Sequence, residues 1–291
     1  MKQRIRKAIL PVAGFGTRFL PVTKAQPKEM LPIVDKPIIQ YLVEEAVASG
    51  IEEIIMVTGR GKRSIEDHFD YSYELEETLV ERGKHSLLKE VQKISTMARF
   101  IYVRQPYPLG DGHAILCARE IVGDEPVAVL FGDDLVDSEI PALRQLIDAY
   151  HELHTPVLAL SRVPRREVSN YGIVRQRALG GGRHRILDLV EKPSMAKAPS
   201  NMAIIGKYII TPDVFRALEK AKKGPDGEIR LIEGFRELVG NGAPLHGMEI
   251  QGTRYDCGDR LGFVKATIDF ALKRKDIGPS LKKHLRTLDF R

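Results

Sequence analysis

Hydrophobic positions along the chain fall into two alternating rhythms. Short unbroken apolar runs read as buried strands, and longer stretches with apolar residues every three or four positions read as helices. The first run is KAILPVA, residues 7–13, which leads into a glycine loop. PIIQYLVEEAVASG follows at 37–50, a helix with Pro37 near its first turn and Gly50 at its end. EEIIMVTG (52–59) predicts a second strand, KRSIEDHFD (62–70) a short helix and FIYVRQ (100–105) a third strand. GHAILCAREIV (112–122) predicts one helix, PVAVLFGDD (126–134) a strand, EIPALRQLIDAYHEL (139–153) a helix and TPVLALSRV (155–163) a strand. Strands alternating with helices imply crossover connections, hence an α/β fold with a mostly parallel, Rossmann-like central sheet covered by helices on both faces.

Two stretches depart from this rhythm. Residues 73–95 are charged and helix-forming but interrupted by Gly83, and read as an exposed helical excursion. From Tyr171 onward the runs GIVRQ, RILDLVEK and MAIIGKYII read as extra strands joined by turn-rich segments. The helices PDVFRALEKA and EIRLIEGFRELV, the strand HGMEIQ and the amphipathic helix LGFVKATIDFALKRK complete the pattern. With no clear linker or repeat, residues 1–275 read as a single domain, and residues 276–291 as a tail with room for one more helix.

Composition narrows the class. The chain has 291 residues, 43% of them hydrophobic, enough to bury a full core. No run of about 18 apolar residues suggests a membrane span. Cys117 and Cys257 form no CxxC, which argues against a disulfide framework or zinc site and suits a reducing cytosol, so a cytoplasmic location is expected. The net charge of +6 is scattered and lacks the aromatic-rich basic stripe of a nucleic-acid binder. It fits small anionic ligands or simply a solvated basic surface.

Candidate chemistry begins in the loop behind the first strand, AGFGTRFLPVTKAQPKEMLP. Open parallel sheets bind ligands at the carboxyl ends of their strands. GFGTRF is not the dinucleotide fingerprint, because Phe19 stands where a third small residue belongs, and no GxxxxGK[ST] occurs. Gly14 and Gly16 are consistent with a tight turn, or with a backbone that approaches a phosphate or a base. Arg18, Lys24 and Lys28 in the same loop suit a polyphosphate. In LFGDDL, Asp133 and Asp134 end an apolar strand, where they fit either a Mg²⁺ site or a turn. VEKP (Glu191, Lys192) and RYDCGD (Asp256) are weak signals on their own.

Taken in order, these motifs with LGDGHA and NYGIV resemble the sugar-1-phosphate nucleotidylyltransferases, in particular the bacterial branch that uses UTP and glucose 1-phosphate. The resemblance spans about residues 5–275 and implies the nucleotide-diphospho-sugar transferase fold, with a nucleotide-binding first half and a sugar-binding second half. It implies transfer of uridylyl from UTP to α-D-glucose 1-phosphate, giving UDP-glucose and pyrophosphate. On that pattern Arg18, Lys28 and Lys192 handle phosphates. Ala13, Gly14, Gly16, Glu29, Gln105 and Gly110 bind the nucleotide, with Gln105 engaging uracil through both donor and acceptor. Gly172, Glu191 and Lys192 contact the sugar phosphate, and Asp133 with Asp256 holds Mg²⁺. The resemblance further implies a homo-oligomer, tetramer or dimer, and no nucleic-acid or membrane partner. Asp111 departs from the family, which more often has an apolar residue there, and it lies beside the expected base pocket. Two other readings stay open: a sister enzyme using dTTP, and a noncatalytic nucleotide-binding regulatory paralogue.

Overall fold

The first strand, β1 (Lys7–Pro11), shows how the sequence builds a two-sided core. Ala8 and Leu10 join the apolar cluster on one face of the sheet, while Ile9 joins the cluster on the other. The same period-two division recurs in β4 (Glu53–Thr58), with Ile54 and Met56 on one face and Ile55 and Val57 on the other. Strands buried on both faces must be apolar throughout, which is why these runs carry no polar alternation. The computed structural model describes residues 4–224 and 226–289.

Among the described residues, nine strands form the main sheet. Besides β1 and β4 these are β5 (Arg99–Arg104), β6 (Val127–Leu130), β8 (Val157–Arg162), β9 (Gly172–Gly180), β10 (Arg183–Glu191), β11 (Met202–Ile210) and β12 (His246–Glu249). Their order is β5-β4-β1-β6-β11-β8-β12-β10-β9. β5, β4, β1 and β6 are mutually parallel, whereas β11 and β10 run against their neighbours. The extra strands of the second half therefore extend one continuous sheet. Two small antiparallel pairs sit beside it, β2 (Pro32–Ile33) with β3 (Lys36–Pro37) and β7 (Asp134–Asp137) with β13 (Thr253–Asp256).

Helices cover both faces. One layer includes α1 (Ile38–Ala48), α2 (Arg63–Phe69), α7 (Ala142–Leu153) and α10 (Arg260–Lys273). The other includes α5 (Asp111–Cys117), α6 (Arg119–Val122), α8 (Pro212–Lys220) and α9 (Leu231–Gly240). The stretch expected as one helix at 112–122 thus breaks at Ala118 into α5 and α6. The excursion at 73–95 is two helices, α3 (Tyr73–Glu81) and α4 (His85–Ser95), separated at Gly83 in the left-handed region, φ 65°. In the tail, Gly278–Leu285 forms α11.

β11 is buried along its whole length, including Lys207. Its ammonium donates to the Asp134 carbonyl at 2.9 Å and pairs with Glu45 Oε2 at 2.9 Å. Glu45 Oε1 in turn accepts from the Leu143 N–H in the first turn of α7. A buried charge without such partners would be prohibitively costly. The network ties α1, α7 and β11 to the turn that carries Asp133 and Asp134.

Candidate active site

Because β5, β4, β1 and β6 run parallel, their carboxyl ends open on one edge of the sheet, and the chemistry-bearing loops meet there. Val12 extends β1 by donating to the Val57 carbonyl at 3.0 Å, and Gln105 extends β5 by donating to the Thr58 carbonyl at 2.8 Å. One cavity is lined by Ala13, Gly14, Lys28, Gln105, Gly110 and Asp133. An adjoining one is lined by Arg18, Gly172, Glu191, Arg254 and Asp256, and Asp133 and Lys192 line both. The cleft thus brings together residues from both halves of the sequence.

The two loop glycines differ in kind. Gly16 has φ 67°, and a methyl there would lie 3.1 Å from Lys28 Cβ, so the turn itself requires glycine. A methyl on Gly14 would meet nothing within 4 Å. The protein does not demand glycine at that point, and the open backbone is suited to a ligand.

At the other end of the cavity, Gln105 is buried, 8% exposed. Its Nε2 donates to the Gly110 carbonyl at 2.9 Å and lies 3.0 Å from His113 Nδ1. Gly110 has φ 97°, and a methyl there would sit 2.5 Å from the Ile229 carbonyl oxygen. This close approach packs the loop before α9 over the loop before α5. Asp111 reinforces it: Oδ1 accepts from the Gly112 N–H at 2.7 Å and the Leu231 N–H at 2.9 Å. The residue that departs from the family pattern is thus a clasp between two helix starts. Glu29 is buried with its carboxylate on Lys62 at 2.9 Å, and backs onto Gly132.

The adjacent aspartates have separate fates. Asp134 is buried and accepts from Arg254 Nε at 3.0 Å, Arg254 Nη2 at 2.8 Å and the Gly206 N–H at 3.0 Å. Burial works against the Arg254 charge, but Asp134 outweighs it and raises the guanidinium above its usual range. Arg254 also lies over the Tyr171 ring, 4.9 Å from its centroid, and Tyr171 Oη donates to Asp256 Oδ2 at 3.3 Å.

Asp133 instead faces the cleft, with Lys28 Nζ 2.5 Å from Oδ2. Burial alone would raise its carboxyl, but Lys28, then Arg18 and Arg254, hold it below the ordinary range. Lys28 is raised in turn, with Asp133 and Glu29 overcoming the effect of burial. A methyl on Gly258 would sit 2.5 Å from Asp133 Oδ2 and 3.1 Å from Asp256 Oδ1. The two carboxylates therefore converge on a small space that only glycine leaves open. Burial, with help from Asp134 and Asp133, raises the Asp256 carboxyl despite Arg254. Two hard carboxylates on one space fit a divalent cation that takes its remaining ligands from phosphate and water.

Cations surround this point. Arg18 Nη1 reaches the Gly258 carbonyl at 3.4 Å, and its own carbonyl accepts from Arg260 Nε at 2.9 Å. Lys192 follows β10 with φ 43°, its N–H donating to the Tyr171 carbonyl at 3.1 Å and its ammonium 3.5 Å from Glu191 Oε1. Glu191 is the register partner of Gly172, where a methyl would lie 3.2 Å from Glu191 Oε2. Arg230, Arg254 and Tyr171 also line the cleft, Gly258 lines a neighbouring pocket beside Arg18, and His113 stands against Gln105. Sequence reading gave none of them a site role. Arg230 carries no signal beyond opening a helix, and Gly258 offered only its place two residues after Asp256.

The family model described as nucleotidyl transferase matches residues 7–271, and the chain belongs to that family. The chain is 50% identical over 279 residues to UTP–glucose-1-phosphate uridylyltransferase of Bacillus subtilis (strain 168), covering 96% of this chain and 95% of that protein. A crystal structure of UDP-glucose pyrophosphorylase complexed with UDP-glucose matches with TM-score 0.86 and 43% identity, over 93% of this chain and 100% of that one. The UTP-bound enzyme from Acinetobacter baumannii matches with TM-score 0.90 and 38% identity, over 98% of this chain and 100% of that one.

Proposed function

We infer that this protein transfers uridylyl from UTP to α-D-glucose 1-phosphate, releasing pyrophosphate and forming UDP-glucose. The observation that carries this reading is that Arg18, Lys28 and Lys192 line the same cleft as Asp133, Asp256 and Gln105, with Lys28 paired to Asp133. The kinship to uridylyltransferases at about half identity over nearly the full chain supports uridylyl over thymidylyl transfer. It also speaks against a noncatalytic paralogue, and Arg18, Lys28, Asp133 and Lys192 all stand in the sequence.

The chemistry is an in-line attack by the sugar phosphate oxygen on the α-phosphorus of UTP. That oxygen is already ionised near neutral pH, so no general base is required. The barrier is the approach of two anions, and catalysis is positioning plus charge neutralisation. Lys28 leaves Asp133 for the triphosphate as the nucleotide enters, while Arg18 holds the departing pyrophosphate. Lys192 neutralises the sugar phosphate, and Gly172 with Glu191 contacts the glucose ring. The backbone at Ala13 and Gly14 lies along the base. Asp133 and Asp256 would hold Mg²⁺, which screens the phosphate charges when bound.

We read residues 1–275 as one working unit with a nucleotide half and a sugar half, in a cytoplasmic enzyme that assembles as a homo-oligomer. Light scattering on the purified protein measures the last point. The activity is tested by pyrophosphate release from UTP plus glucose 1-phosphate, beside dTTP, CTP, ATP and GTP and other sugar phosphates. UTP with glucose 1-phosphate is expected to be the fastest pair, and a faster rate with dTTP would overturn the assignment.

A further inference from the structure

The hydrogen bonding around Gln105 leaves less of its amide for a base than the expected donor and acceptor. A primary amide carries two N–H hydrogens and one carbonyl oxygen. The Gly110 carbonyl can only accept, so the amide atom 2.9 Å from it is nitrogen. That carbonyl cannot turn away, because it also accepts from the Ala114 N–H at 3.2 Å in the first turn of α5. The same amide nitrogen lies 3.0 Å from His113 Nδ1 and has only a hydrogen to offer there. Nδ1 must therefore accept, which fixes the neutral imidazole with its proton on Nε2. Burial, with the Lys223 charge, holds the His113 imidazole below its usual value, in keeping with that form. Both hydrogens of the amide are thereby engaged.

We propose that His113 is a positioning residue that makes Gln105 an obligate acceptor toward the base, and so selects pyrimidines with an N3–H donor over those with a bare N3. The proposal rests on Gln105 being the residue that reads the base. Gln105 Oε1 is the one polar group of the amide left for a ligand. Uracil offers N3–H to it. Cytosine, seated the same way, brings a lone pair against a lone pair. Without His113 the amide is held by the Gly110 carbonyl alone, so the flip that turns Nε2 toward cytosine N3 gives up one hydrogen bond instead of two. His113 lies on α5 immediately after the Asp111 clasp, so its ring is carried by the same helix start that presents the Gly110 carbonyl.

The test compares kcat/KM for UTP and for CTP, each with glucose 1-phosphate, in the parent and in Gln105→Ala, His113→Leu and His113→Asn. Asparagine retains a carbonyl oxygen near the place of Nδ1, whereas leucine has no acceptor. The expected result is a loss of the UTP-over-CTP preference of about tenfold in His113→Leu, the size of one misplaced hydrogen bond with its unpaired group. Most of that preference should return in His113→Asn, and KM for glucose 1-phosphate should stay within about twofold throughout. If Gln105→Ala loses selectivity while His113→Leu keeps that of the parent, the positioning role is wrong and the base-reading role stands. Gln105→Ala with the parent's selectivity overturns both. An asparagine variant no better than leucine reduces His113 to packing and overturns the proposal. Thermal melts accompany each variant, and His113→Ala, which adds no bulk, replaces leucine if the latter does not fold.

Discussion

Asp133 and Asp134 are adjacent in sequence, yet the structure predicts opposite consequences for the same substitution at the two positions. Asp134 is 4% exposed and receives three charge-assisted or backbone hydrogen bonds, two of them from an Arg254 side chain that is 15% exposed. Removing one partner of a buried ion pair costs about 3–5 kcal/mol, because the other charge stays buried. Asparagine still offers one acceptor oxygen, and Asp256 lies 3.6 Å from Arg254, so the lower end, about 3 kcal/mol, is expected for Asp134→Asn. At roughly 2 °C per kcal/mol for a chain of this size, the melting temperature should fall by about 6 °C.

Asp133→Asn removes a carboxylate whose partner, Lys28, is 22% exposed and reaches solvent, and it relieves the like charge on Asp256. Its melting temperature should stay within about 2 °C of the parent, while turnover falls roughly a hundredfold because a carboxylate that would hold Mg²⁺ at the phosphates is gone. Differential scanning calorimetry and the pyrophosphate-release assay at matched folded fraction measure the two effects. If Asp134→Asn melts like the parent, or Asp133→Asn keeps full turnover, the division of labour between the two carboxylates is wrong.

Three further outcomes follow from the same geometry. Gly258→Ala places a methyl against the ends of two carboxylates rather than against backbone, so the fold should survive while the half-activating Mg²⁺ concentration rises about tenfold, read from a metal titration. Lys28→Met should lower stability by about 1 kcal/mol near neutral pH, given a pair about a quarter exposed. Asp133 is held below its ordinary value of 3.8 and Lys28 above its ordinary 10.5. The pair's contribution is therefore full between those values, lost as pH falls through the Asp133 folded value and lost as it rises through that of Lys28. The gap in melting temperature between parent and variant should accordingly be flat across the middle range and close at both extremes; a gap unchanged by acid would exclude Asp133 as the partner. Lys192→Ala should cost about 1.5–3 kcal/mol, carried by glucose 1-phosphate kinetics with UTP binding largely retained, and wild-type kinetics would make it a plain surface lysine.

Much of the molecule is legible in the sequence because the relevant rules are local. Period-two burial in β1 and β4, the glycine that ends α1, and the basic glycine loop after the first strand all follow from side-chain direction and backbone sterics over a few residues. The ordered motifs likewise located the residues that line the cleft. The sequence could not say how those residues pair. Asp134 meets Arg254 across 120 residues of chain, and Lys28 meets Asp133 across 105. The two aspartates of FGDD look equivalent in one dimension, and only the fold buries one and opens the other. Gln105 has the same side chain in sequence and structure, but its free valence depends on Gly110 and His113 being brought to it by the start of α5. Such choices are settled by desolvation. Once a polar group is removed from water, whichever partner the packing brings within about 3 Å fixes its charge, its orientation and so its use.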